Sequence, residues 1–239
     1  MNDNTALFLF DFDKTLVDGH SHNYIGERLS RLIYLPSGRI NFKSHEEYEQ
    51  FTRKNSIALM KNFLADDNLN WKNKEKIQDL MKEILASDHK IGIVTFNDYP
   101  DAVKYAIEQL LGKEAADKIY IKSGLPASSY GEIQKCNKVL YIKEVMEKTG
   151  ITNIKNVFFM DDDPKNVIAA TDFGIQAVLV GKDGIEYINE VYNFWHKFNN
   201  GHDIFVEFNN PFIESKDIYI LNGAGYDPVD CDIMGKIKA

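Results

Sequence analysis

Four short, uninterrupted apolar runs set the tightest limit on the fold: Ala6–Phe10 (ALFLF), Ile91–Val94 (IGIV), Val157–Met160 (VFFM) and Ala177–Val180 (AVLV). Each is too short for a core helix and lacks the polar alternation of a half-solvated strand, so each reads as a strand buried on both faces. The segments between them carry helical spacing. Ile77, Leu80, Met81, Ile84 and Leu85 mark one helix. A second spans Asp98 to Leu111, with Pro100 in its first turn and Gly112 as its stop. A third begins at Asn137 and ends at Gly150, a fourth covers Asn166–Phe173, and an aromatic-rich one runs from Gly184 to Phe198. Ile119–Ile121 adds a further short strand. Strands alternating with amphipathic helices predict an α/β fold, a doubly wound parallel sheet with helices on both faces.

Two stretches fall outside this rhythm. Residues 19–71, interrupted by Leu35-Pro36-Ser37-Gly38, read as a small, mainly helical insertion after the first strand. Residues 199–239 form a tail whose DIFVEF and DIYIL runs are strand candidates without a place in the sheet. The core is then residues 1–18 plus 72–198. With 239 residues, 44% hydrophobic and 27% charged, the chain has the composition of a globular domain rather than of a disordered one. Its net charge of −8 argues against broad binding to nucleic acid, which requires clustered cations. No apolar run approaches the ~20 residues of a membrane helix, and the polar Met-Asn-Asp-Asn-Thr start is unlike a cleaved signal peptide. The two cysteines, Cys136 and Cys231, indicate no disulfide framework and suit a reducing, cytoplasmic setting, though export without a signal stays open. Nothing in these patterns specifies an oligomeric state.

Acidic residues gather where the strands stop. Asp11 and Asp13 follow the first run, and Asp161, Asp162 and Asp163 follow VFFM. In an open parallel sheet, the carboxyl ends of strands border the ligand crevice. Helix capping explains one Asp at each junction, but not a pair and a triplet. Carboxylates converging there would repel one another unless a cation were present, and oxygen ligands favour Mg²⁺. Asp11-Phe12-Asp13-Lys14-Thr15 also has the D-x-D-x-T order; Thr95 ends the second strand and a Lys precedes the VFFM strand. These are the parts of phosphoryl transfer: a nucleophile, a proton donor two residues on, and a hydroxyl and an ammonium for the remaining oxygens.

FLFDFDKTLVD, IVTFND and VFFMDDDPKN, in that order, resemble the motifs of the haloacid dehalogenase-like (HAD) superfamily over residues 7 to about 180, with Asp-Asp where Gly-Asp is more frequent. The resemblance implies a Mg²⁺-dependent phosphomonoester hydrolase working through an aspartyl-phosphate. Asp11 would be the nucleophile and Asp13 the general acid and base. Mg²⁺ would be held by the Asp11 side chain, the Asp13 backbone carbonyl and the Asp162 side chain. Asp161, Asn166 and Thr15 would support them from outside. Thr95, Phe96 and Asn97 would bind phosphate together with a lysine, for which Lys138 is preferred over Lys135 and Lys122.

In such proteins inserted caps shape the substrate site, and the span from Asp11 to Thr95 exceeds a turn and one helix by roughly 50 residues. A cap over the site would favour a small phosphorylated metabolite. An insertion packed to the side would leave room for a phosphotyrosine protein, and Tyr24, Arg28, Arg31, Tyr34 and Arg39 could line either. A phosphomutase and a non-catalytic phospho-ligand binder are further alternatives. A phospho-accepting receiver domain fits poorly, because here Asp-Asp follows the Lys. The remaining motifs have plainer readings. His20-Ser21-His22 lacks a third zinc ligand and reads as a loop near the site entrance. Asn222-Gly223-Ala224-Gly225 reads as a turn, Cys136 as structural, and the Tyr192, Phe194, Trp195 and Phe198 cluster as helix packing.

Overall fold

The computed structural model describes residues 5–35, 38–66, 69–124, 137–181 and 186–199. The predicted Cys136 and Lys135, the glycine-rich 222–225 segment and the tail's strand candidates lie outside the described residues. Among those described, β1 (Leu7–Phe10), β4 (Lys90–Val94), β5 (Tyr120–Lys122), β6 (Val157–Asp161) and β7 (Gln176–Leu179) form one parallel sheet in the order β5-β4-β1-β6-β7. The register is continuous across the centre, with Phe10 paired to Ile93 on one side and Met160 on the other. The α/β doubly wound expectation holds.

Alternation along β1 explains the two faces. Phe8 and Phe10 face one core with the apolar stripes of α3 (Lys74–Ala86), α4 (Pro100–Leu111) and α8 (Glu186–Asn199). Leu7 and Leu9 face the other, with α6 (Val139–Thr149) and α7 (Pro164–Asp172). Phe158 and Phe194 stack at 4.6 Å between centroids, which fixes α8 against the sheet as the aromatic packing of that segment foretold.

Helix boundaries differ from expectation where a cap decides them. Helix α7 begins at Pro164 rather than Asn166, because Asp163 accepts the Lys165 N–H and Pro suits the first helical position. Helix α4 begins at Pro100 for the same positional reason, and Asn137 and Lys138 precede α6 rather than belonging to it. A short helix, α5 (Lys113–Ala116), follows Gly112. Between β1 and β4 lie α1 (Ser21–Ile33), two minimal antiparallel strands, β2 (Tyr34–Leu35) and β3 (Gly38–Arg39), and α2 (His45–Leu64). Helices α1 and α2 pack on each other, and α2 packs on α4 of the core. No helix among the described residues is long and apolar enough to cross a membrane.

Candidate active site

The strand ends assemble the site. The Asp11 N–H bonds Met160 O at 2.8 Å, extending the β1–β6 ladder, and the Thr95 N–H bonds Lys122 O at 2.9 Å, extending β4–β5. Asp161 is the last residue of β6. Asp11, Thr95 and Asp161 therefore stand at adjacent carboxyl ends of the parallel sheet. After Asp11 the chain turns through Lys14 in the left-handed region (φ 59°), and the buried Lys72 ammonium donates to the Lys14 carbonyl at 2.5 Å. Positive φ is uncommon outside Gly, so this tertiary contact holds a turn that local preference does not favour.

One cavity of about 480 Å³ is lined by Asp11, Asp13, Thr95, Phe96, Asn97, Lys138, Asp161, Asp162 and Asn166, joined by His20, His22 and Asn23. Asp11, Asp13, Asp162, Thr95, Phe96, Asn97 and Lys138, the first choices for metal and phosphate, all border it. Lys138 Nζ sits 2.5 Å from Asp11 Oδ1 and 2.7 Å from Asp161 Oδ2, all three side chains being buried. Lys122 instead pairs with Glu144 and lies over the Tyr141 ring, away from this cavity. The buried Thr15 hydroxyl lies 3.4 Å from Asp11 Oδ2.

Asp161 has no free oxygen. Oδ2 accepts from Lys138, Oδ1 accepts the Asp163 N–H at 2.8 Å, and the Asn166 amide lies 3.1 and 3.2 Å from the two oxygens. Burial pushes the Asp11 carboxyl up to about 6 and that of Asp161 up to about 7, against the lowering influence of Lys138. Burial also raises Asp162, with neighbouring Asp161 adding to the effect. Burial would lower Lys138, but Asp11 and Asp161 outweigh it and hold the ammonium charged. One lysine thus faces three buried or half-buried carboxylates, a deficit of positive charge.

The residues fit a divalent cation. Asp11, Asp161 and Asp162 each offer an oxygen within 4.8 Å of the others, and Asn166 Oδ1 is buried without a partner among the described residues. Oxygen donors of this kind suit Mg²⁺. Both Asp161 oxygens accept close bonds, from Lys138 at 2.7 Å and the Asp163 N–H at 2.8 Å, whereas Asp11 Oδ2 meets the Thr15 hydroxyl only at 3.4 Å.

Asp13 is held differently. Its Oδ1 accepts from the Ser21 N–H at 2.8 Å and the Ser21 hydroxyl at 2.5 Å; its Oδ2 accepts from the His22 N–H at 3.2 Å and Asn97 Nδ2 at 3.4 Å. The expected loop at His20-Ser21-His22 is therefore the entrance to α1, whose first turn is anchored on Asp13. His22 stacks on Tyr99 at 5.7 Å, and its Nδ1 accepts the Asp98 N–H at 3.3 Å.

The insertion contributes His20, His22 and Asn23 to the cavity, and not the Tyr and Arg residues considered for it. Arg28 lies over the Tyr24 ring at 3.5 Å, Tyr24 packs on Phe63, and Arg39 lies over Tyr34, so these groups satisfy one another. The sequence placed Ser21 only within the His20-Ser21-His22 entrance loop, without its bond to Asp13, and gave Asn23 no role.

No family model matches this chain, and no curated protein does. Among solved structures, CbbY from Rhodobacter sphaeroides in complex with phosphate is similar at 14% identity, over 73% of this chain and 85% of that one, with a TM-score of 0.48. The HAD domain of the effector protein Lem4 from Legionella pneumophila is similar at 15% identity, over 81% and 97%, with a TM-score of 0.46. The haloacid dehalogenase-like hydrolase SP0104 from Streptococcus pneumoniae is similar at 17% identity, over 80% and 99%, with a TM-score of 0.43.

Proposed function

We propose that this chain is a haloacid dehalogenase-like phosphomonoester hydrolase that uses Mg²⁺ and acts on a small phosphorylated metabolite. The observation that carries the reading is the buried Asp11–Lys138–Asp161 set facing Asp13 across one cavity at the strand ends. In the first step an Asp11 carboxylate oxygen attacks phosphorus, the bond from phosphorus to the ester oxygen breaks, and Asp13 gives its proton to that leaving oxygen. In the second, a water attacks phosphorus and loses a proton to Asp13, while the bond from phosphorus to the Asp11 oxygen breaks. Inorganic phosphate leaves and both carboxyl groups return to their starting states.

Thr95, the Phe96 and Asn97 backbone and Lys138 would bind the non-bridging phosphoryl oxygens, where fixed donors stabilise charge without reorganising. Mg²⁺, held by the Asp11 and Asp162 side chains and the Asp13 carbonyl, would neutralise phosphoryl charge against the acidic wall. Asp161 keeps Lys138 aimed at Asp11, Asn166 keeps Asp161 in place, and Thr15 orients Asp11. A cavity of about 480 Å³ with His20, His22 and Asn23 on its wall supports a small phosphomonoester.

Steady-state hydrolysis of an aryl phosphate, with Mg²⁺ and with chelator, tests the reading. Turnover is expected with Mg²⁺ alone, and Asp11→Asn should abolish it without changing the circular dichroism spectrum. Near-normal activity of Asp11→Asn would overturn the nucleophile assignment.

A further inference from the structure

Helix α1 begins without a cap of its own, since the His20 side chain makes no capping bond. Asp13, eight residues upstream, takes that place by accepting the Ser21 and His22 N–H groups of the first turn. The same carboxylate is met from the side by the Ser21 hydroxyl, which is fully buried.

The direction of each bond in this network is determined. Asn97 Oδ1 accepts the Tyr99 N–H at 2.9 Å, which places the Asn97 amide nitrogen on the other side, 2.8 Å from Ser21 Oγ. An amide nitrogen only donates, so Ser21 Oγ accepts there and has its single hydrogen left for Asp13 Oδ1. Asn97, Ser21 and the α1 first turn thus grip both oxygens of Asp13, and, apart from the half-turn that exchanges the two equivalent oxygens, rotation of the carboxylate loses donors.

We propose that Ser21 is a positioning residue for Asp13: its hydroxyl, itself fixed by Asn97, aims the carboxyl group that exchanges protons with the leaving oxygen and the attacking water. The insertion is then part of the acid–base apparatus and not merely a wall around the substrate. This rests on the hydrolase reading above. An off-aim proton donor matters most when the leaving oxygen is a poor leaving group, because a good one departs with little proton transfer.

The test compares wild type and Ser21→Ala on an alkyl phosphate and on 4-nitrophenyl phosphate, reading kcat/KM, alongside a melting cycle of Ser21→Ala, Asp13→Ala and the double variant. The alkyl phosphate should lose at least about 10-fold more than the aryl one. In the cycle, the double variant should melt no lower than the worse single variant, as expected when both remove one contact. Equal losses on the two substrates would overturn the positioning role and leave Ser21 a structural residue. Additive melting shifts would overturn the clamp itself. A wild type inactive on every phosphomonoester would overturn the hydrolase reading and the positioning role with it, while the melting cycle still decides the clamp.

Discussion

The Lys138 ammonium lies between Asp11 and Asp161, 2.5 Å from one carboxylate and 2.7 Å from the other, with all three side chains out of water. A buried charge triad of this kind contributes little net stability, because desolvation offsets the Coulombic gain, whereas removal of one member is costly. Its presence at the carboxyl ends of the strands is better explained by chemistry than by folding.

Replacing Lys138 by Met is therefore expected to do two things. It strips Asp11 and Asp161 of their cation, at a cost of about 3–5 kcal/mol in unfolding free energy. On the proposed hydrolase reading it also removes a phosphoryl-oxygen donor, with kcat falling by about 10² to 10³. Denaturant melts and initial rates check both, and adding Asp161→Asn should recover much of the stability but none of the rate. If Lys138→Met is as active as wild type, Lys138 does not bind phosphate.

Magnesium should stabilise the protein in a pH-dependent way. Asp161 and Asp11 are raised to about 7 and about 6 in the folded chain, from 3.8. Between 3.8 and those values the folded state holds protons that the unfolded state has released, so metal-free stability falls as pH rises through this window. A cation competes with those protons. The rise in melting temperature on adding Mg²⁺ should be small at pH 5 and large at pH 8; the same rise at both would contradict a cation bound at Asp11 beside Asp161.

How much of this was legible beforehand depends on what each residue answers to. The β1, β4 and β6 runs, and the acids that follow β1 and β6, are readable, because strands buried on both faces leave continuous apolar letters and the D-x-D-x-T order is local in sequence. That Asp163 caps α7 while bordering the cavity beside Asp161 and Asp162 is not separable in sequence alone, since capping and ligation favour the same residue type. The Ser21–Asn97 contact joins residues far apart in the chain, and a serine has no periodicity to betray it. Tyr24 and Arg28 were attractive as substrate groups by composition, yet they stack on each other, a choice that only tertiary packing makes.

Gly92 shows how tightly the sheet is joined to the lysine. A Cβ at this position would come within 2.7 Å of Leu9 Cδ2 and 2.9 Å of Val145 Cγ1. Leu9 is fully buried, and Val145 is a stiff β-branched residue on α6, the helix that Lys138 precedes. Gly92→Ala should thus destabilise by about 1–3 kcal/mol through overpacking. Displacement of α6 should lower kcat as well, even under conditions where the variant is fully folded. A variant with unchanged melting would show that α6 yields freely at this contact.

His89 makes a separate prediction at the opposite end of β1. Its Nδ1 accepts the Ala6 N–H at 3.2 Å, so that nitrogen carries no proton, and the other ring nitrogen lies 3.3 Å from Asn199 Oδ1 at the end of α8. The ring packs against Phe8, Trp195 and Phe198. Burial lowers its pKa below the usual 6.5, against smaller opposing effects of Asn199 and Asp88. As pH falls, the unfolded chain takes up this proton first, so the contribution of His89 is whole above about 6.5 and is lost as pH drops toward the folded value. Protonated Nδ1 would turn a donor toward the Ala6 N–H and break that bond to the start of β1, while Nε2 donates to Asn199 Oδ1 in either state. His89→Gln keeps a neutral amide and should melt below wild type at pH 7.5, with the gap narrowing by pH 5.5. The difference between the two chains cancels the opposite trend of the active-site carboxylates, so a gap that stays constant with pH would show that His89 does not titrate across this range.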